Sequence, residues 1–222
     1  MSVPIDSASS THAPIAAVIV AGGRSRRMGQ DKRQLRLWGA HGPTLLEHTL
    51  ALVAPLCAEV IVVLNDPEHW PELPATIIGD AYPDGGALGG IYSGLLAAQH
   101  THALVVAADM PLLNAALLRW MIAQPRGYDV LVPRLADRGQ AHNRLGVESL
   151  HAIYSRACLT PIARQLDAGN PQVIGFFDQV RVQLIEPETV AQFDPGGHAF
   201  RNVNTPDDLA LARDLIRQSQ VK

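Results

Sequence analysis

The feature that most limits the fold of this chain is three short runs of wholly apolar residues, at 15–20, 60–64 and 103–108, set apart by longer amphipathic stretches. A strand with one wet face alternates apolar and polar side chains. A strand without alternation is covered on both faces, as in a parallel sheet between helices. Weaker strand signals stand at 75–78, 128–132, 150–154 and 180–185. Helical spacing predicts helices over 43–53, 89–99, 114–124 and 161–168, the first with Pro43 in its opening turn. A last helix follows Thr205 as N-cap, with Pro206 in its first turn, Asp207 and Asp208 at its positive end, and a Leu209, Leu211, Leu215, Ile216 stripe. Strand–helix alternation over the first 130 residues builds βαβ units. The predicted class is α/β, a Rossmann-like doubly wound, mostly parallel sheet. Beyond Pro133 the alternation loosens, and the polar stretch 135–144 reads as a long loop.

Composition removes several alternatives. With 47% hydrophobic residues and a net charge of −3, the chain of 222 residues buries a real core and is not disordered. A pI near 6.3 disfavours general nucleic-acid binding. Two cysteines, Cys57 and Cys158, build no disulfide framework or zinc finger. No apolar run is long enough to cross a bilayer, and the polar start lacks the features of a secretory signal. The expectation is a cytoplasmic protein with a disordered tail over 1–14 and one domain over 15–218.

In such sheets ligands bind at the carboxyl ends of the strands. After the first apolar run comes Ala21-Gly22-Gly23-Arg24-Ser25-Arg26-Arg27-Met28-Gly29-Gln30-Asp31-Lys32. Its three glycines permit close approach of backbone amides to an anion, and four cationic side chains surround them. The implied ligand is a polyphosphate. Neither the Walker pattern nor G-x-G-x-x-G is present, which disfavours a P-loop hydrolase or a simple NAD enzyme. Of the 18 basic residues only Lys32 and Lys222 are lysines, so the lysine in this loop is the one inside any fold.

Asn65-Asp66 follows the second apolar run, where an Asn serves either a base or ribose or an ordinary turn. Asp80 precedes a segment with four glycines, Gly85, Gly86, Gly89 and Gly90, which would let backbone lie against a flat ligand or simply form a loop. Asp109 ends the third apolar run. A carboxylate there needs compensation, from a helix N-terminus, an arginine, or Mg²⁺ shared with substrate phosphates, and the polyphosphate loop nearby favours the metal. Near the C-terminus Phe200-Arg201-Asn202-Val203-Asn204-Thr205-Pro206 reads as a short strand with Asn202 and Asn204 on one face, leading into the helix cap. His100 and His102 read as surface residues.

Together the Ala-Gly-Gly-Arg-Ser-Arg-Arg-Met-Gly-x-Asp-Lys loop, Gly-Gly-Ala-Leu-Gly-Gly, Ala-Asp-Met-Pro-Leu and Asn-Val-Asn-Thr-Pro-Asp-Asp-Leu resemble the nucleotidyltransferase superfamily, and within it the molybdenum cofactor guanylyltransferases. The resemblance runs from about Ile15 to the final helix. It implies transfer of GMP from GTP to the phosphate of molybdenum-bound molybdopterin, with Mg²⁺ as cofactor and release of pyrophosphate. Carried over by position, it implies nucleotide contacts at Val20, Ala21, Gly22, Lys32, Asn65, Asp80 and Asp109. Lys32 and Asp109 take the catalytic roles, and Asp109 the metal with weaker help from Asn204. Arg201 and Asn202 face the acceptor. It also implies transient contact with cofactor-biosynthesis proteins or molybdoenzymes. Where family members commonly carry Leu, Pro and Cys, this chain has Val20, Ala87 and Ala108. A CTP-dependent cytidylyltransferase, a sugar-phosphate nucleotidyltransferase and a silent nucleotide-binding module remain the alternatives.

Overall fold

The computed structural model describes residues 13–22, 34–39, 41–70, 73–136 and 143–220. Seven strands form one sheet: β1 (Ala16–Val20), β2 (Glu59–Leu64), β3 (Thr76–Gly79), β4 (His102–Ala107), β5 (Val130–Pro133), β6 (His151–Ser155) and β7 (Val182–Ile185). Their order is β3-β2-β1-β4-β6-β5-β7. β1 pairs in parallel with both β2 and β4, in registers that set Val20 beside Val63 and Ala107. Only β6 runs antiparallel to its neighbours, β4 and β5. The expected mostly parallel α/β sheet is therefore present, with one reversed strand that the apolar runs did not announce.

Side-chain parity explains the two layers. Ala17, Ile19, Leu104, Val106 and Ile153 face one side, and Ala16, Val18, Val105, Ala152 and Tyr154 face the other. The first face is covered by α1 (Leu45–Val53), α3 (Ala115–Ile122) and α5 (Pro187–Phe193), the second by α2 (Gly86–Ala97) and α4 (Leu159–Asp167). The final helix α6 (Pro206–Gln220) packs Leu209, Ala212 and Ile216 on Leu37 and Leu45 in a separate cluster. No helix among the described residues is long and apolar enough to cross a membrane.

Helix starts follow local chemistry. Pro43 does not open α1. Thr44 is its N-cap, in a capping box with Glu47, because a hydroxyl and a carboxylate satisfy amides that a proline cannot. Asn114 caps α3 by accepting from the amides of Ala116 and Leu117. Thr205 and Asp208 form the same reciprocal pair at α6, at 2.8 and 3.1 Å. The helix α5 and the 3-10 segment Val173–Gln179 have no counterpart in the sequence reading.

Candidate active site

The chain leaves β1 for β2 and β3 on one side, then returns to place β4 on the other side of β1. The crevice at the carboxyl ends of β1 and β4 is thus the topological switch point. Its floor is laced by backbone bonds. The Ala21 amide donates to the Val63 carbonyl at 3.0 Å, and the Ala108 amide to the Val20 carbonyl at 3.1 Å. Val20, Ala21 and Gly22 stand at this crevice. Residues 23–33, which include Lys32 and the arginines of the glycine loop, lie outside the described residues.

Asn65 follows β2 and donates from Nδ2 to the Gly22 carbonyl at 2.5 Å. A Cβ on Gly22 would stand 3.0 Å from Asn65 Oδ1, so only glycine fits comfortably beneath this amide. Asn65 therefore clamps Gly22, where the glycine-rich stretch of sequence begins, to the end of β2.

Asp80 braces its own turn. Its Oδ1 accepts from the Tyr82 amide at 2.9 Å and from Ser93 Oγ at 2.8 Å, while Ser93 Oγ accepts from the Ala81 amide at 2.9 Å. Partial burial raises the Asp80 pKa, and the Tyr82 and Ser93 bonds pull it back. Ser93 thus belongs to this region as a support that no motif signals.

The glycines after Asp80 serve mostly the protein rather than a flat ligand. A Cβ on Gly89 would sit 2.5 Å from the Tyr82 carbonyl, and one on Gly90 would sit 2.8 Å from Val20 Cγ1. Both lie inside α2 and let it approach β1 and the β3–α2 turn. Gly85 is hemmed in by Leu166 and the Tyr82 carbonyl. Only Gly86, with φ of +57° and nothing within 4 Å of its added Cβ, keeps an open backbone face.

Asp109 is half-buried past the end of β4. α1 supports the strand end from below: Thr49 Oγ1 donates to the Ala108 carbonyl at 3.3 Å, and His48 Nε2 meets the Pro111 carbonyl at 3.0 Å. Burial lowers the His48 pKa, the bond to Pro111 raising it in part, which favours the neutral ring. Above, the Val203 amide donates to the Asp109 carbonyl at 2.9 Å. This bond draws the 200–204 strip onto Asp109. The strip is a turn at Phe200 followed by irregular backbone, not the short strand expected: the Val203 amide bonds a loop carbonyl rather than a neighbouring strand, so strict alternation does not apply. Asn202 is half-buried and its Oδ1 has no partner among the described residues, whereas Asn204 is exposed and its amide bonds Asp208 at 2.9 Å as part of the helix cap. Arg201 and Asn202 line a small cavity of about 70 Å³ with Pro111, Leu112, Val203 and Asp208.

His151, at the head of β6, is a residue that no motif singled out. It is fully buried, its nitrogens are unpartnered among the described residues, and burial pushes its pKa down to about 3. An unpaired buried polar group costs on the order of 1–3 kcal/mol. His102, by contrast, is partly buried against Tyr128, with ring centroids 5.7 Å apart, rather than a free surface residue. Among the described residues no group of three or more His, Cys, Asp or Glu gathers as a metal cage. A single carboxylate with a neighbouring carboxamide suits a hard ion that takes its remaining ligands from a substrate.

The family profile described as a MobA-like NTP transferase domain matches residues 17–182. A relative from Chloroflexus aggregans, named a probable molybdenum cofactor guanylyltransferase, is 44% identical over 216 residues, 95% of this chain and 99% of its own. The chain belongs to the molybdenum cofactor guanylyltransferase family. A second guanylyltransferase relative, from Pelotomaculum thermopropionicum and also named as probable, is 37% identical, covering 91% of this chain and 94% of its own. In structure, the molybdopterin-guanine dinucleotide biosynthesis protein A of Archaeoglobus fulgidus superposes with a TM-score of 0.76 at 24% identity, over 92% of this chain and all of that one, and so shares the fold. This guanylyltransferase family member is a nucleotidyltransferase.

Proposed function

We propose that the enzyme transfers GMP from GTP to the terminal phosphate of molybdenum-bound molybdopterin, forming the guanine dinucleotide cofactor and pyrophosphate, in the cytoplasm. The observation that carries this reading is the hydrogen bond from the Val203 amide to the Asp109 carbonyl, which joins the nucleotide side of the crevice to the strip bearing Arg201, Asn202 and Asn204. A group-transfer site needs donor and acceptor phosphates side by side, and the two families of residues meet there.

The acceptor phosphate attacks the α-phosphorus of GTP in line, an oxygen–phosphorus bond forms, and the bond to the departing pyrophosphate breaks. No protein nucleophile is needed; positioning and electrostatic stabilisation do the work. Val20, Ala21 and Gly22 present backbone to the nucleotide, with Asn65 holding Gly22 in place. Asp80 keeps the turn beside the nucleotide fixed. Lys32 neutralises charge on the departing pyrophosphate. Asp109 would hold Mg²⁺, with Asn204 as a weaker second donor, and the ion when bound would offset charge on the substrate phosphates. Arg201 and Asn202 receive the acceptor. Proteins that supply the cofactor precursor or receive the product are transient partners.

Asp109→Asn keeps the size and shape of the side chain and removes its charge. It is expected to abolish Mg²⁺-dependent pyrophosphate release while circular dichroism and melting temperature stay near wild type. Activity close to wild type in this variant would remove Asp109 from the metal site.

A further inference from the structure

His151 is the first residue of β6 and pairs in register with Val106 of β4, three positions before Asp109. The carbonyl just before it, on Leu150, accepts from the Ala107 amide at 3.2 Å. Its imidazole meets the Phe200 ring edge-on, with centroids 4.8 Å apart and planes at 85°. Phe200 leads directly into Arg201 and Asn202. The imidazole therefore lies beneath the strip that faces the acceptor, on the Asp109 side.

The side chain is fully buried, and neither Nδ1 nor Nε2 has a hydrogen-bond partner among the described residues. A leucine or phenylalanine would fill the same space without stranding two polar atoms, so packing alone gives no reason for histidine. Burial keeps the ring neutral, leaving one N–H donor and one acceptor nitrogen. The strip holds a complementary orphan: Asn202 Oδ1 is also buried and without a partner among the described residues. A carboxamide can present either its oxygen or its NH₂ group. Phosphate oxygens can only accept, so an Asn that binds them must turn its NH₂ outward.

We propose that His151 is a positioning residue for the acceptor: when the acceptor seats, its ring N–H takes the buried Asn202 carboxamide oxygen and so holds the NH₂ group toward the acceptor's oxygens. The proposal rests on the function given above. It predicts a separation that structural support alone does not produce, between stability and acceptor affinity.

The test compares wild type with His151→Leu, His151→Phe and His151→Gln, using GTP, Mg²⁺ and molybdenum-bound molybdopterin, with pyrophosphate release as readout. The two apolar variants are expected to melt at or above the wild-type temperature. Their KM for the acceptor rises roughly tenfold, the worth of one hydrogen bond, while KM for GTP is unchanged. Gln, which restores an N–H donor, recovers most of the loss. An unchanged acceptor KM in the Leu or Phe variant overturns the proposal, as does an equal rise in both KM values or a Gln variant no better than Leu. A measurement on wild-type protein stands apart from folding of the variants: the His151 ring nitrogen resonance should move to a hydrogen-bonded position on addition of acceptor, and a static resonance overturns the proposal. Wild-type enzyme that turns over GTP while these results fail sinks this inference alone; wild-type enzyme inactive with GTP sinks the function first.

Discussion

At the residue scale the crevice rests on a few side chains whose partners are on the protein itself. Asn65 and Asp80 carry the family pattern as nucleotide contacts, yet each has at least one polar atom committed internally, to Gly22 and to Tyr82 with Ser93. In the proposed reaction their contribution is to hold the loop and the turn beside the nucleotide. Lys32 is different in kind. It is the one lysine in a chain that otherwise uses arginine, apart from the terminal Lys222. A compact ammonium on a flexible stem can follow a leaving pyrophosphate in a way that a planar guanidinium cannot. Lys32→Arg keeps the charge and is still expected to lower kcat, by up to the 10²–10³-fold that follows loss of a preorganised donor. Steady-state kinetics with saturating GTP would show it; a variant with wild-type kcat would mean that charge alone suffices.

At the element scale the strands most legible in the sequence are those with helices on both faces. β1, β2 and β4 are central, and their inner residues are apolar without alternation, so they announced themselves as runs. β3 and β7 are the edges of the sheet, partly exposed, and gave weak signals. β6 is buried throughout but carries His151, Tyr154 and Ser155, so its composition hid its burial, and nothing in a local pattern sets its reversed direction. Gly90 and Gly94 of α2 were legible as glycines and not as packing devices, because the side chains they touch, Val20 and Val18, are distant in sequence. Gly94 makes the point measurable. A Cβ there would overlap the Val18 side chain, coming within 2.8 Å of Cγ2. Gly→Ala in a helix normally gains about 1 kcal/mol. Overpacking a core costs typically ~1–3 kcal/mol and wins here. Gly94→Ala should therefore lower the unfolding free energy in urea, and a stabilised variant would show that α2 has room to move away.

At the scale of the whole molecule, buried histidine ties stability to pH. The His151 pKa is lowered from 6.5 to about 3 by burial. The unfolded chain thus binds a proton near pH 6.5 that the fold refuses. The contribution of the neutral ring is complete above pH 6.5 and drains as pH falls toward about 3, at most ~1.4 kcal/mol per pH unit. Burial of His48 and of His102 lowers their pKa values and acts in the same direction. Asp129, held to about 2 by Arg181, adds a loss confined to the range from 3.8 down to about 2. Urea unfolding should therefore show stability declining already between pH 6.5 and 4, before carboxylates dominate, and a flat curve over that range would contradict the buried neutral ring.

The α/β sheet, the first loop, Asp109 and the C-terminal strip were all readable as motifs, since each puts recognisable chemistry in a short stretch. What joins them, the bond from the Val203 amide to the Asp109 carbonyl, spans 94 positions and uses backbone atoms that no residue type marks. That junction is the basis for reading one enzyme that couples GTP to a phosphorylated pterin. The most direct measurement is pyrophosphate release with Mg²⁺ and molybdenum-bound molybdopterin across GTP, CTP, ATP and UTP, with a sugar phosphate as alternative acceptor. The account predicts release with GTP and molybdopterin, and little with CTP or with the sugar phosphate. Equal turnover of CTP, or turnover only with the sugar phosphate, would contradict it.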